Sequence, residues 1–206
     1  MSGIGTKTVA ALALYSVIYI APAERARASE QIVYAALGPE TSIPFGWLDF
    51  CRRYPGECVG SAAAPRDIDL TAKTYKEIQS VNLFVNHSIQ PVSDMDHWGV
   101  VDQWDYPTDG KGDCEDFALA KRRLLIARGY PRQALLMTVV KEANGDGHAV
   151  LTVRTNRGEL VLDNMSDAVR PWTLTPYRFV KRQSQLDPNV WVALEGGGPA
   201  PIYVSR

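Results

Sequence analysis

Between Leu70 and Ile89 the apolar positions Ile78, Val81, Val85 and Ile89 recur three or four residues apart, with Tyr75 near the same stripe. That spacing predicts a helix, which Pro91 ends. A second helix is predicted from Cys114 to Arg128, with Phe117, Ala120 and Leu124 as its buried face and Gly129-Tyr130-Pro131 as its stop. Asp113 stands at its N-cap and Asp116 at the third position of a capping box. Lys121, Arg122, Arg123 and Arg128 put positive charge in its far half, as the helix dipole favours. Beyond this helix the period shortens. Ala134 to Val140, Ala149 to Val153 and Glu159 to Leu162 are predicted strands, separated by Asn144-Gly145, Gly147 and Asn156-Arg157-Gly158. Val190 to Leu194 is a last strand, before the Gly196-Gly197-Gly198-Pro199 break. Helices first and a hairpin-rich sheet afterwards make an α+β pattern rather than alternating βαβ units.

Two stretches carry no clear period. Residues 29 to 64 hold a short apolar segment and then Gly-, Pro- and Tyr-rich irregular sequence. Residues 91 to 112 form a structured loop, because Trp98, Trp104 and Tyr106 are costly to leave exposed together. The hairpin around Asn156-Arg157 has two registers. If Thr155 pairs with Gly158, Asp163 faces Val150 and has His148 as its same-face diagonal neighbour. A three-residue turn with a bulge at Gly158 moves the pairing by one and carries Asp163 to the other face.

The length of 206 residues fits one domain, and 46% hydrophobic residues are enough to build a core. A net charge of −1 gives no support to a nucleic-acid partner. In the first segment Lys7 precedes uncharged, mostly apolar sequence from Thr8 to Ala23, and Ala26-Arg27-Ala28 offers small residues to a signal peptidase. Residues 1–28 are therefore expected to be a signal peptide, with 29–206 as a single exported domain. An uncleaved membrane anchor is the alternative, although the stretch is shorter than the roughly 20 residues of a spanning helix. Export changes the reading of three cysteines. Cys51 and Cys58, with Pro55-Gly56 between them, can close a small disulfide ring in an oxidising compartment; the alternative is two buried thiols. Cys114 is then alone, and a reactive thiol explains it.

Cys114 opens a helix, where free backbone N–H groups stabilise a thiolate. A thiolate nucleophile needs a base, and the histidines are His87, His97 and His148. His87 lies within a helix pattern and His97 in an acidic loop. His148 opens a strand after Gly147, as a base at the rim of a sheet does. Asp163, at the end of the next strand, can orient its imidazole. From Asp94 to Asp116 run eight carboxylates in 23 positions: Asp94, Asp96, Asp102, Asp105, Asp109, Asp113, Glu115 and Asp116. Negative charge beside a thiol opposes its ionisation, and a bound divalent cation removes that conflict. Oxygen ligands point to calcium, with Asp113 and Glu115 at the helix mouth as its ligands. The alternative is a solvated acidic surface.

The segment GKGDCEDFALAKRRLLIARGYP (Gly110 to Pro131), followed by GHAVLTV (Gly147 to Val153) and LVLDN (Leu160 to Asn164), resembles the bacterial transglutaminase-like cysteine peptidases. Asp102-Gln103-Trp104, Pro107 and Asn86 extend the resemblance, which spans residues 40 to 194. It implies a papain- or transglutaminase-like core, an N-terminal helical lobe whose nucleophile helix packs on an antiparallel sheet, and the triad Cys114, His148 and Asp163. In the calcium-dependent members the carboxylates flanking the nucleophile bind the ion, here Asp113 and Glu115. The adhesin-releasing members are periplasmic, cut a protein substrate near paired alanines and answer to an inner-membrane receptor that senses cyclic di-GMP. The expected function is thus a periplasmic, calcium-dependent, monomeric cysteine endopeptidase acting on a protein or peptide. Rival readings are a calcium-stabilised binding module without turnover, an acyl-transferring enzyme and a cell-wall amidase. The Cys114 backbone N–H is the expected oxyanion donor, with the Trp104 indole as a candidate second.

Overall fold

The computed structural model describes residues 34–60 and 63–204, together with Met1 and Gly3. The expected signal peptide lies, apart from those two residues, outside the described part. Among the described residues no helix is long and apolar enough to cross a membrane.

The described part opens with β1 (Leu37–Thr41) and α1 (Phe45–Arg53), followed by a 3-10 turn at Pro55–Glu57. Next come α2 (Ala72–Ser88), β2 (Gln90–Pro91), α3 (Asp94–His97), β3 (Lys111–Gly112) and α4 (Cys114–Ala127). Six strands complete it: β4 (Leu135–Lys141), β5 (Gly147–Thr155), β6 (Gly158–Asp163), β7 (Ser166–Pro171), β8 (Arg178–Gln183) and β9 (Trp191–Leu194). Seven of the strands form one antiparallel sheet in the order β1-β9-β8-β4-β5-β6-β7. The short β2 and β3 pair in parallel and tie the 91–112 loop to the start of α4. This is the α+β arrangement expected, helices on a large antiparallel sheet.

The central strands are buried on both faces, which is why they read as nearly continuous apolar runs. Helix α4 packs on β5, β4 and β6 and against α2. On that side Val139, Ala149, Leu151, Val153 and Leu162 join Phe117, Leu119, Leu125, Val81 and the indoles of Trp47, Trp104 and Trp191 in the main core. The opposite face carries a smaller cluster that includes Val140, Val150, Val161 and Phe179. At roughly 25 cal/mol per Å2, burial of these side chains is the largest stabilising contribution to the fold.

Several elements differ from expectation, each for a physical reason. β1 has the sequence LGPET, whose Gly38 and Pro39 suit a bulged edge strand and erase any alternation. In α1 the core is reached by Trp47 and Phe50, and Gly46 is required because a Cβ there would run into the Trp104 indole. β8 is hidden by polarity: Lys181 donates to the Ser42 carbonyl at 2.9 Å, Arg182 pairs with buried Glu159, and Gln183 accepts from the Met137 N–H at 3.0 Å. The buried face of α4 is wider than Phe117, Ala120 and Leu124, since Ala118, Leu119, Lys121, Arg122 and Leu125 are all buried while Ala120 and Leu124 are only partly so. Arg122 therefore does more than balance a dipole: its Nε donates to the Leu135 carbonyl at 3.2 Å. Trp104 and Tyr106 are buried, but Trp98 is 48% exposed and stacks on the His97 ring.

Cys51 and Cys58 are joined by a disulfide, with their Cα atoms 5.7 Å apart. It ties the end of α1 to the turn that follows. Replacing both by serine is expected to lower unfolding stability by about 2.5 kcal/mol through loop entropy, read as a lower denaturant midpoint at an unchanged slope. An unaltered midpoint would show that the unreduced ring contributes nothing.

Candidate active site

The first turn of α4 faces the strand ends of β5 and β6. Asp113 occupies the N-cap position, but its carboxylate makes no capping bond; Oδ2 instead accepts the Asp94 backbone N–H at 3.1 Å. Asp116 likewise does not close a capping box, and Oδ1 accepts the Asp105 N–H at 2.7 Å. Gly112 makes room for it, since a Cβ there would stand 2.5 Å from Asp116 Oδ2. Both carboxylates are drawn into the preceding loop by its unpaired N–H groups, so the helix mouth is left uncapped around Cys114.

Cys114 is free and 1% exposed. Its Sγ accepts the Ala149 backbone N–H at 3.4 Å and lies 3.1 Å from Glu115 Oε2. His148, one residue before Ala149, is fully buried, and its Nε2 is 3.0 Å from Asp163 Oδ1. The register behind this contact is the one in which Thr155 pairs with Gly158 and Leu151 with Leu162. The same sheet geometry therefore brings together the three residues singled out from the sequence. His87 and His97 are engaged elsewhere, with Asp167 at 3.0 Å and Asp109 at 2.8 Å.

Asp163 is held from four sides. Besides His148, its Oδ1 accepts the Met165 N–H at 3.0 Å, its Oδ2 accepts the Tyr177 hydroxyl at 2.5 Å, and Asn86 Nδ2 donates to its backbone carbonyl at 3.0 Å. Burial acts to raise its pKa, but the hydrogen bonds from His148 and Tyr177 prevail and hold it below the ordinary value. Burial opposes a charged His148, yet its bond to Asp163 and the nearness of the Cys114 sulfur raise its pKa to about 10. An imidazolium beside the sulfur is thus favoured at neutral pH. Tyr177 carried no signal in the sequence: it precedes β8 in an irregular stretch, and only the fold delivers it to Asp163. The Trp104 indole is not available as an oxyanion donor, because it is buried and donates to Asp102 Oδ1 at 3.0 Å.

The acidic run divides in three, with Asp102 and Asp105 half-buried. Asp96 and Asp109 are exposed, whereas Asp94, Asp113, Glu115 and Asp116 are buried at 1% exposure or less. One carboxylate oxygen from each of Asp94, Asp113 and Asp116 can be chosen within 4.8 Å of the others, and Asp113, Cys114 and Glu115 form a second such group. Burial, followed by the charge of Asp113, raises Asp94 to about 6; burial above all raises Asp116 to about 9, and Glu115 is raised well above its ordinary value. No donor reaches Asp94 Oδ1 or Glu115 Oε1. Oxygen-only, mutually repelling and desolvated, these groups fit a hard divalent cation. The sequence named Asp113 and Glu115 for this role; it treated Asp116 as a cap and left Asp94 among the general acidity.

A helix-mouth thiol opposite a histidine and an aspartate on an antiparallel sheet belongs with the papain- and transglutaminase-like folds. The model of the bacterial transglutaminase-like cysteine proteinases (BTLCP) matches residues 37–198, and the chain belongs to that family. It is a cysteine peptidase, an enzyme whose substrates are proteins or peptides. Calcium-bound LapG of Legionella pneumophila is similar in fold, with 22% identity over 64% of this chain and 75% of that one and a TM-score of 0.51. Two further structures of the same LapG, one of them EGTA-treated, are 25% identical, with TM-scores of 0.45 and 0.47. They cover 53% and 58% of this chain, and 63% and 67% of theirs. No curated protein sequence matches the chain.

Proposed function

We propose that the protein is an exported endopeptidase of the periplasm that hydrolyses a peptide bond of a protein substrate with Cys114 as nucleophile. The observation that carries this reading is the buried His148–Asp163 contact at 3.0 Å, beside a sulfur already bonded to the Ala149 N–H. With Nε2 held by Asp163, the ring presents Nδ1 to the thiol. His148 holds the proton taken from Cys114 and the thiolate attacks the substrate carbonyl. The oxyanion that forms is stabilised by the Cys114 backbone N–H at the uncapped helix mouth. His148 then protonates the leaving amine and activates water for deacylation, while Asp163 and Tyr177 keep the imidazole in one orientation. Water in excess makes hydrolysis the outcome rather than transfer to an amine.

Asp113 and Glu115, joined by Asp94 and Asp116, would hold a calcium ion. Bound there it supplies positive charge that relieves the repulsion of the buried carboxylates, including the one beside the sulfur. Support comes from the donor set itself and from the calcium described for the similar LapG. Export rests on residues 1–28 acting as a signal peptide, and the proposal includes action as a monomer under an inner-membrane receptor.

The test of the triad is Asp163→Asn. It is expected to lower kcat/KM by a factor on the order of 10^3 to 10^4, with KM little changed, because the imidazole loses its orientation and its partner charge. Activity within a few-fold of the unaltered enzyme would remove Asp163 from the mechanism.

A further inference from the structure

Cys114 is 1% exposed and His148 fully buried, an awkward state for groups that must meet a peptide bond in another protein. Beside Gly147, the residue before His148, runs the segment that follows β9. The chain leaves that strand through Gly196 and Gly198, both at positive φ, with Gly197 pressed so close to Val180 that a Cβ would stand 2.7 Å from its Cα. It then runs without regular secondary structure across the end of the sheet. At Gly147, the residue before His148, a Cβ would meet the Tyr203 carbonyl oxygen and stand 2.9 Å from Pro201 Cβ. One residue further on, the Val204 backbone N–H donates to the Asp102 carboxylate, and the Val204 side chain, 3% exposed, enters the core that holds Trp104 and Cys114. Asp102 is fixed on the helical side by the Gly46 N–H at 3.2 Å and the Trp104 indole at 3.0 Å. Residues 201–204 therefore bridge Gly147, next to the base, and the Asp102 loop, which α1 and Trp104 hold in place.

We propose that the passage between Gly147 and Asp102 is a peptide-binding subsite of the enzyme, and that residues 199–204 occupy it in place of substrate. The subsite takes a main-chain segment: Gly147 supplies a wall with no side chain, the Asp102 carboxylate accepts a backbone N–H, and the buried position that Val204 fills at the edge of the main core receives a small aliphatic side chain. The substrate class is a polypeptide with an aliphatic residue of valine size at that position. This inference rests on the assignment of Cys114 as nucleophile. The three glycines let the segment leave as a unit, since neither Pro201 nor Tyr203 is tied down by regular structure.

The test compares iodoacetamide alkylation of Cys114 at neutral pH, followed by mass spectrometry, in the full chain and in a chain lacking residues 198–206. A segment closed nine-tenths of the time reduces access about tenfold, so removal is expected to speed alkylation, and any peptide cleavage, by about that factor. A synthetic peptide of the sequence GPAPIYV, added to the shortened chain, is expected to restore protection, and its Val-to-Asp variant to fail. Because Val204 is part of the core, Val204→Asp and Gly147→Ala in the full chain serve as second variants. Both expel the segment and speed alkylation, while Gly147→Ala also weakens the added peptide. Equal alkylation rates in full-length, shortened and Val204→Asp proteins would overturn the subsite. Faster alkylation without cleavage of any protein would uphold the subsite and overturn the peptidase role of Cys114.

Discussion

Cys114→Ala is expected to abolish peptide-bond cleavage, with a loss on the order of 10^5 to 10^6 in kcat, because no neighbouring group can replace the sulfur as nucleophile. The fold should survive. The sulfur makes one bond to the Ala149 N–H and one contact with Glu115, and α4 is held chiefly by Phe117, Leu119 and Leu125 beneath it. The measurement is digestion of a protein substrate by purified variant and parent in parallel, with thermal melts of both. Cleavage that persists in a correctly folded variant would move the chemistry to another residue. A melting temperature that collapses would instead make Cys114 a packing residue.

Chelation is expected to have the next largest effect. In the metal-free protein Asp94 and Asp116 titrate at about 6 and about 9 instead of their ordinary 3.8, chiefly because burial disfavours their charged forms. The folded state thus holds protons that the unfolded chain has released. Stability from this source is fully present below the ordinary carboxylate range and is lost as pH rises through about 6 and then about 9. Calcium binds the deprotonated groups, so its stabilisation grows across the same interval. At a hundredfold excess over its Kd, binding adds about 2.7 kcal/mol. For a domain of this size that is roughly 5–10 °C in melting temperature. Melting curves in EGTA and in calcium, taken at pH 5 and pH 8, check the sign: the difference should be small at pH 5 and large at pH 8. Asp113→Asn with Glu115→Gln should abolish it. A difference independent of pH, or none at either pH, would return the four carboxylates to an unliganded acidic pocket.

The two expectations are linked through Glu115. Its Oε2 faces the sulfur while its other oxygen has no donor, so the same carboxylate belongs to the nucleophile's surroundings and to the acidic cluster. Loss of cation should therefore reduce cleavage as well as stability, whereas loss of the sulfur should reduce cleavage alone.

Much of the site was legible in the sequence because its parts are local. Periodicity located α2 and α4 to within two residues, and the change to short apolar runs bounded by turn residues located β4, β5 and β6. Cys114 stands at a helix start and His148 at a strand start, positions set by glycines and apolar spacing over a few residues. The register that unites His148 with Asp163 depends on a two-residue turn, and there the sequence left two solutions of similar merit. Only pairing across the whole of β5 and β6, with both faces buried, selects one, since a shift by one residue would turn Leu160 and Leu162 away from the core.

By itself, then, the sequence determined which residues could form a thiol site and the class of fold that would carry them. Tertiary structure decided how those residues are used. It turned Asp113 and Asp116 from capping residues into members of a buried acidic cluster, brought Tyr177 and Asn86 to Asp163, and committed the Trp104 indole to Asp102. It also laid residues 201–204 across the space between Gly147 and Asp102. The physical reason is the range of the forces involved. Helix starts and strand periods follow from neighbours a few residues apart, whereas desolvation and hydrogen bonding of buried polar groups depend on atoms that are distant in the chain and meet only when it has folded.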